Sequence, residues 1–392
     1  MKNVRSIWAM ALVAAATLAG CGGGGGGGIG GTGRDGTMHV SLTDAPACGY
    51  DHVYVTVDRV RVNQSSTAAD SDAGWSEVVL SPARRVDLLT LTNGVLEDLG
   101  QTQLPAGTYT QLRLVLPENS GNSAPFANSV VPTGGSETAL ATPSAQQSGL
   151  KINVGITVEP DKIADVVLDF DACKSVVKRG NSGQYNLKPV LSATTVLSDA
   201  GMRVVGYVEP ALGVSSTLVS VQANGVPVKA TVPDATGKFV LYPVPVGTYD
   251  VVVTAPNRAT AVMTGVPVVT TAFTTLNSTA LPIAPPATTM RTVTGTVTPA
   301  TATVRATQLL TGGPTIEAAW GAVDATTGAF SFDLPIGAPV KTAYVANPTT
   351  LSFTADSAAA GKYTLVAASA GATKTTAIDV NNSVPPVTFT FP

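Results

Sequence analysis

The sequence predicts an all-β chain, with three β-sandwich domains in tandem behind an exported leader. Three observations carry that expectation. Charged residues make up only 12% of the chain and aromatics 5%, leaving the Val-, Thr-, Gly- and Pro-rich composition of strands joined by tight turns. Short alternating apolar runs recur between Gly/Pro stretches, and helical periodicity is confined to a brief run over Val86 to Leu91. The C-terminal half also repeats itself, as two copies of one small unit do.

The leader comes first. Lys2 and Arg5 form a positive start, and Ile7 to Ala19 is apolar but too short to span a bilayer. It closes on Leu18-Ala19-Gly20-Cys21. This resembles a bacterial lipobox, which implies a lipoprotein signal peptide over 1–20 and lipidation at Cys21. The alternative is an ordinary secretory signal beside a cysteine. Several acyl chains, palmitate among them, anchor strongly because each buried methylene adds about 0.8 kcal/mol. Gly22 follows the cysteine where Asp would retain the protein. By resemblance to Gram-negative sorting, this implies the outer membrane, on its periplasmic or cell-surface face. Residues 21–36 read as a Gly-rich linker. Gly28, Gly30 and Gly33 match a dinucleotide fingerprint in spacing, but the strand before and the helix after that its physics needs are missing.

The first domain is expected over 37–198. Met38 to Thr43 alternates and ends at the turn Asp44-Ala45-Pro46. Val53 to Val62 is the clearest strand, with a phase shift near Asp58 to Val60 that predicts a bulge. Further strands are expected at Trp75 to Leu80, Thr110 to Leu116, Leu150 to Val158, Ala164 to Phe170, Tyr185 to Leu187 and Val190 to Val196. Leu104 to Tyr109 reads as a turn, and the polar Ser120 to Ser148 as loop.

Leu42-Thr43-Asp44-Ala45-Pro46, Val53 to Val57, Leu88-Leu89-x-Leu91-x-Asn93-Gly94 and Leu104-Pro105-Ala106-Gly107-x-Tyr109 occur here in order. Leu168-Asp169-Phe170-Asp171 and Leu187-Lys188-Pro189-Val190 follow. Together they resemble a bacterial lipoprotein family known as domain of unknown function 4382. The resemblance implies an all-β, lipid-anchored export domain without an established activity.

Two copies follow, over 202–286 and 290–392, divided by the Pro-rich Leu281 to Pro286. Val205-Gly206-Tyr207-Val208 recurs as Thr294-Gly295-Thr296-Val297. Asp234 to Phe239 recurs as Asp324 to Phe330, and Pro245-Val246-Gly247 as Pro335-Ile336-Gly337. The first copy resembles the carboxypeptidase regulatory-like domain, a transthyretin-like sandwich. Such domains commonly act as spacers, and their wider superfamily includes starch-binding modules. The second copy diverges: Ala338-Pro339 follows its Gly337, and a Gly361-Lys362-Tyr363 turn comes later.

The chemistry is sparse. The net charge of −3 becomes more acidic once Lys2 and Arg5 are removed, and no basic patch invites nucleic acid. Cys48 and Cys173 are an even pair in an oxidising compartment and are expected to form a disulfide. The alternatives are two buried thiols or a metal site short of ligands. His39 and His52 are the only histidines, and no metalloprotease, nucleophile-elbow or phosphate-loop motif occurs. Asp70-Ser71-Asp72 starts like a calcium loop, but Glu77 arrives too early for the bidentate position. Asp44, Asp169 and Asp171 are weak metal candidates, a small acidic site, with turn capping as the simpler role. Trp75 and Trp320 are the candidate sugar platforms.

The expected function is a noncatalytic structural or binding role in the envelope. No cofactor is called for. The partners are the membrane, through the N-terminal lipid, and an envelope protein or glycan. The alternatives are a carbohydrate-binding surface lipoprotein and, behind it, a hydrolase whose site assembles only on folding.

Overall fold

The computed structural model describes residues 34–392 apart from 45–48, 122–123, 144–147 and 214–215. The leader, Cys21, the linker up to residue 33, and Cys48 therefore lie outside the described residues. The regular structure of the described chain is nearly all β.

The first sandwich contains β1 (Asp35–Asp44), β2 (Tyr50–Asn63), β3 (Ser76–Asp87), β4 (Glu97–Pro105), β5 (Gly107–Val115) and β6 (Ser129–Pro132). It continues with β7 (Thr138–Ala141), β8 (Leu150–Val158), β9 (Ile163–Phe170), one helical turn α1 (Ala172–Ser175), β10 (Val176–Lys178), β11 (Tyr185–Leu187) and β12 (Leu191–Val196). One sheet has the order β12-β9-β1-β4; the other runs β10-β11-β7-β6-β2-β5-β8, with β3 also paired to β2. Val40, Leu42, Val55, Leu114 and Phe170 fill the space between them.

The phase shift in β2 is a bulge. Its pairing with β3 slips between Val57 and Arg59. Val53, Val55 and Val57 are buried before the slip and Val60 and Val62 after it. The extra residue moves the apolar set from odd to even positions while keeping it on the core face. The helical run shrinks to a 3-10 turn at Leu88–Thr90, capped by Asp87. The segment expected as loop carries β6 and β7, so that expectation is corrected. Both strands are four residues long and flanked by Gly and Pro, too short for alternation to stand out.

The second sandwich comprises β13 (Val204–Tyr207), β14 (Leu218–Ala223), β15 (Val226–Thr231), β16 (Lys238–Leu241), β17 (Gly247–Thr254), β18 (Ala261–Val268) and β19 (Thr274–Thr275). The third comprises β20 (Met290–Thr298), β21 (Thr303–Leu309), β22 (Thr315–Gly321), β23 (Ala329–Pro335), β24 (Val340–Ala343), β25 (Thr354–Ala355), β26 (Lys362–Ser369), β27 (Ala372–Asp379) and β28 (Val387–Thr390). Each has its own core, one around Phe239 and Val251 and the other around Phe332 and Leu365, and a small buried cluster of Val252, Val262, Leu310 and Ile316 bridges the two.

The repeated motifs have one physical cause. Gly206 lies opposite Phe239, and Gly295 opposite Phe330. A Cβ on either glycine would stand 2.5 or 2.3 Å from the facing ring. Gly237 and Gly328 adopt φ of +81° and +70° in the hairpin turn, where a Cβ would meet the carbonyl oxygen of Val208 or Val297 at 2.1 Å. Each turn is tied by its aspartate, Asp234 or Asp324, which accepts the N–H two residues on at 2.8 or 2.9 Å.

The Pro-x-Gly corner is also shared. Tyr249 donates to the Pro245 carbonyl at 2.9 Å, and Tyr109 of the first sandwich to Pro105 at 2.9 Å. In the third sandwich the tyrosine is displaced in sequence but not in role: Tyr363 donates to Pro335 at 2.7 Å. The residues between Gly337 and Gly361 form an arm. Its strand β24 pairs in parallel with β18 of the second sandwich, and β25 pairs with β24. The sheet thus runs β15-β14-β17-β18-β24-β25 across the Pro-rich boundary, and Val340 enters the second core.

Candidate functional site

The residues with chemistry meet where the three sandwiches touch. In β9, Phe170 is fully buried, and Asp169 and Asp171 face away from it, as alternation requires. Asp171 caps α1, accepting the Lys174 N–H at 3.0 Å. Asp44, at the end of β1, accepts the Ala172 N–H at 2.9 Å. Asp44 and Asp171 thus accept backbone N–H groups, and Asp169 meets a lysine instead. Among the described residues no cluster of three His, Cys, Asp or Glu side chains could hold a metal ion.

Cations from the neighbouring strands meet these carboxylates. Lys229 of β15 is buried and reaches Asp169 at 2.6 Å. Lys174 lies 3.4 Å from Asp171 and 3.5 Å from Glu317 of β22. Arg305 of β21 approaches Glu317 at 3.4 Å. Gln222 of β14 bonds the Glu317 backbone twice, its oxygen accepting the N–H at 2.7 Å and its nitrogen donating to the carbonyl at 3.0 Å. The ammonium of Lys174 also sits 5.0 Å above the Trp320 ring. A cleft of about 570 Å³ opens here, lined by Asp171, Lys174, Thr217, Gln222, Glu317 and Trp320.

Burial sets the electrostatics. It pushes Asp44 well above the usual carboxylate range; the Ala172 N–H opposes this, the charges of Asp171 and Asp169 add to it, and Lys229 opposes it. Burial likewise raises Asp171 and Glu317, against the pull of Lys174 on both and of Arg305 on Glu317. For Lys174, burial pulls downward but is outweighed by Asp171 and Glu317, which hold the ammonium charged.

Further contacts join the sandwiches. Asn93, at φ +60°, donates its N–H to Thr231 and accepts the Val240 N–H. Asp324 accepts the Gly180 N–H at 2.7 Å, and Lys188 donates to the Ala302 carbonyl at 3.0 Å.

The remaining candidates are scattered. His39 lies on the sheet surface between Asp165 at 2.8 Å and Asp98 at 3.0 Å. His52 bonds Asp87 at 2.6 Å and stacks on Tyr54. Asp70 pairs with Arg61 and Arg113, and Asp72 accepts the Ala69 N–H, so the calcium-like loop is tied as a hairpin tip. Trp75 has both of these guanidiniums 4.6 Å from its ring. Cys173 is bonded rather than a free thiol, and it lines the cleft beside Gly49.

Lys174, Lys229, Arg305, Gln222 and Glu317 were not singled out from sequence. Their one visible signal is a charge inside an otherwise apolar strand, as in Val226-Pro227-Val228-Lys229-Ala230 and Ile316-Glu317-Ala318-Ala319.

With this geometry in place, comparison with known proteins adds the following. Residues 35–189 match the model of Domain of unknown function (DUF4382). This DUF4382 region covers the first sandwich through β11 and supplies Asp44, Asp169, Asp171 and Lys174 to the junction. No curated protein matches the chain. Among solved structures, the chain is similar to one in an N-terminal interface mutant of a type II Cohesin-X-Dockerin complex from Acetivibrio cellulolyticus. The identity is 28% over 22% of this chain and 59% of that one, with a TM-score of 0.19. It is also similar to one in the corresponding C-terminal interface mutant, with 30% identity over 21% and 56% and a TM-score of 0.18. The chain spans less than two thirds of either, and superpositions this poor carry no argument about the fold.

Proposed function

We propose that this is a lipid-anchored protein of the outer membrane with a noncatalytic structural or binding role, its three sandwiches held as one presenting body. The observation that carries this reading is the junction of Asp169–Lys229 and Asp171–Lys174–Glu317–Arg305, whose charges come from all three sandwiches. Buried charges of this kind cost desolvation, which specific pairing offsets. They fit a protein whose domains keep a fixed relation. The first sandwich is a DUF4382 region, and the repeated Gly/Phe pairs and Pro-x-Gly corners support carboxypeptidase regulatory-like sandwiches behind it. Lipidation at Cys21 and a Cys48–Cys173 disulfide belong to the same reading; the bonded state of Cys173 supports the second. Crosslinking in intact cells followed by pull-down tests the role. An envelope protein recovered through the cleft or the sandwich faces supports it, and turnover of a substrate by the purified chain would replace it with an enzyme.

A second reading, glycan binding, is favoured by the cleft itself. Trp320 offers an indole there, and the buried Thr217 hydroxyl has no hydrogen-bond partner among the described residues. Isothermal titration against glucans and peptidoglycan fragments, with Trp320→Ala as control, decides it. Saturable heat lost in the variant promotes this reading, and a flat titration removes it.

A further inference from the structure

Five of the eleven exposed large apolar side chains among the described residues gather where the chain enters the first sandwich: Ile163 (61% exposed), Leu197 (67%), Val246 (52%), Val269 (41%) and Phe273 (58%). The pairings place them together. At the start of β1, Thr37 lies opposite Ile163, and Val196 at the end of β12 lies opposite Asp165. Leu197 donates its N–H to the Met202 sulfur at 3.2 Å, and Met202 donates its own to the Val269 carbonyl at 2.8 Å. Val246 and Val269 flank the paired residues Gly247 and Val268, and Phe273 precedes Thr274, which bonds Arg203.

We propose that this end is an apolar foot that rests on the bilayer carrying the N-terminal lipid. The inference builds on the lipid-anchored reading above. Two features favour a bilayer over a protein partner. The described body begins here, at Arg34, thirteen positions after Cys21. A lipid on Cys21 thus enters the chain only a short stretch of sequence from this end. The loop Val269-Thr270-Thr271-Ala272-Phe273 is also uncharged, and the charges around it nearly balance: Arg34 pairs with Asp161 at 2.9 Å and Lys162 with Glu159, while Asp35 and Asp199 are offset in part by Arg203. Apolar side chains without excess charge suit zwitterionic headgroups, and an aromatic ring suits the interface.

The test uses the full chain, produced in bacteria with radiolabelled fatty acid and reconstituted into phosphatidylcholine vesicles with acyl chains brominated for tryptophan quenching. Over the emission of Trp75 and Trp320 in the wild type, Phe273→Trp should add a blue-shifted, quenched component, whereas Thr373→Trp on the third sandwich should add that of an exposed indole. Adding Val269→Asp to Phe273→Trp should abolish the quenching and leave the fatty-acid label in place. A labelled chain whose residue 273 stays in water overturns the foot and leaves the anchor standing. A chain that takes up no label removes both. Shielding of residue 273 only when envelope proteins are added, without lipid quenching, overturns the foot in favour of a protein partner.

Discussion

Asp44 occupies the least comfortable position of any carboxyl in the described chain. It is buried, one oxygen accepts a backbone N–H, and the other has no hydrogen-bond partner. Its pKa is raised, so the folded state favours the neutral acid. The stability it contributes is complete below the unfolded carboxylate pKa and lost as pH rises through the folded value. Asp44→Asn keeps the acceptor for Ala172 and removes the charge, so thermal midpoints should gain most at the alkaline end of a pH series. Asp44→Ala should cost about 1–3 kcal/mol at acidic pH, because it leaves that N–H buried and unpaired, with the cost shrinking as pH rises through the folded value. Equal loss in both variants would mean that charge is irrelevant there. His39 behaves differently. Burial lowers its pKa, but the hydrogen bonds and charges of Asp165 and Asp98 win, so the net shift is upward from 6.5. Its contribution is full below the unfolded pKa and fades as pH climbs through the folded one. His39→Gln should flatten that alkaline decline, as followed by melting in dilute salt.

At the scale of elements, the repeats give the sharpest test. Phe239 is completely buried opposite Gly206, so Phe239→Ala should cost about 3–5 kcal/mol. Gly206→Ala presses on the same ring from the other side and should cost about 1–3 kcal/mol by overpacking. Denaturant titration of the two variants and the double variant should show coupling, since the smaller side chain relieves the added methyl; simple additivity would argue against the contact. These elements were legible because each rests on local grammar: glycine where a Cβ cannot fit, aspartate at the hairpin, and a shift of parity in β2. β6 and β7 were hidden because four residues between Gly and Pro display no period. The arm was hidden for a different reason. The divergence after Gly337 was plain in the sequence, but a strand that pairs with a neighbouring sandwich leaves no mark on its own periodicity. The junction was hidden most deeply. Lys229 and Asp169 are sixty positions apart and Gln222 and Glu317 ninety-five, so only the tertiary fold brings them together.

For the whole molecule, the junction links the three cores. Lys174→Met should strand the carboxylates of Asp171 and Glu317 away from water and cost about 3–5 kcal/mol, the usual penalty for removing one partner of a buried pair. Calorimetry should show a separate transition for the first sandwich split from the wild-type endotherm, while the second and third, joined by the arm and by the Val252, Val262, Leu310 and Ile316 cluster, melt together. An unchanged single endotherm would mean that the sandwiches are coupled through other contacts.

The arm has a consequence for the order in which the molecule is made. Ribosomes deliver β18 well before β24, and at about 5–20 residues per second the interval is roughly four to fifteen seconds. Wherever the second sandwich folds before the third arrives, it is complete except for its cover, and the flank of β18 is an unpaired ladder open to any other extended segment. A nascent chain halted there would be sticky, and a chaperone or a rapid successor must guard it. The arm's two short strands thus act as the stopper for a sheet begun long before them.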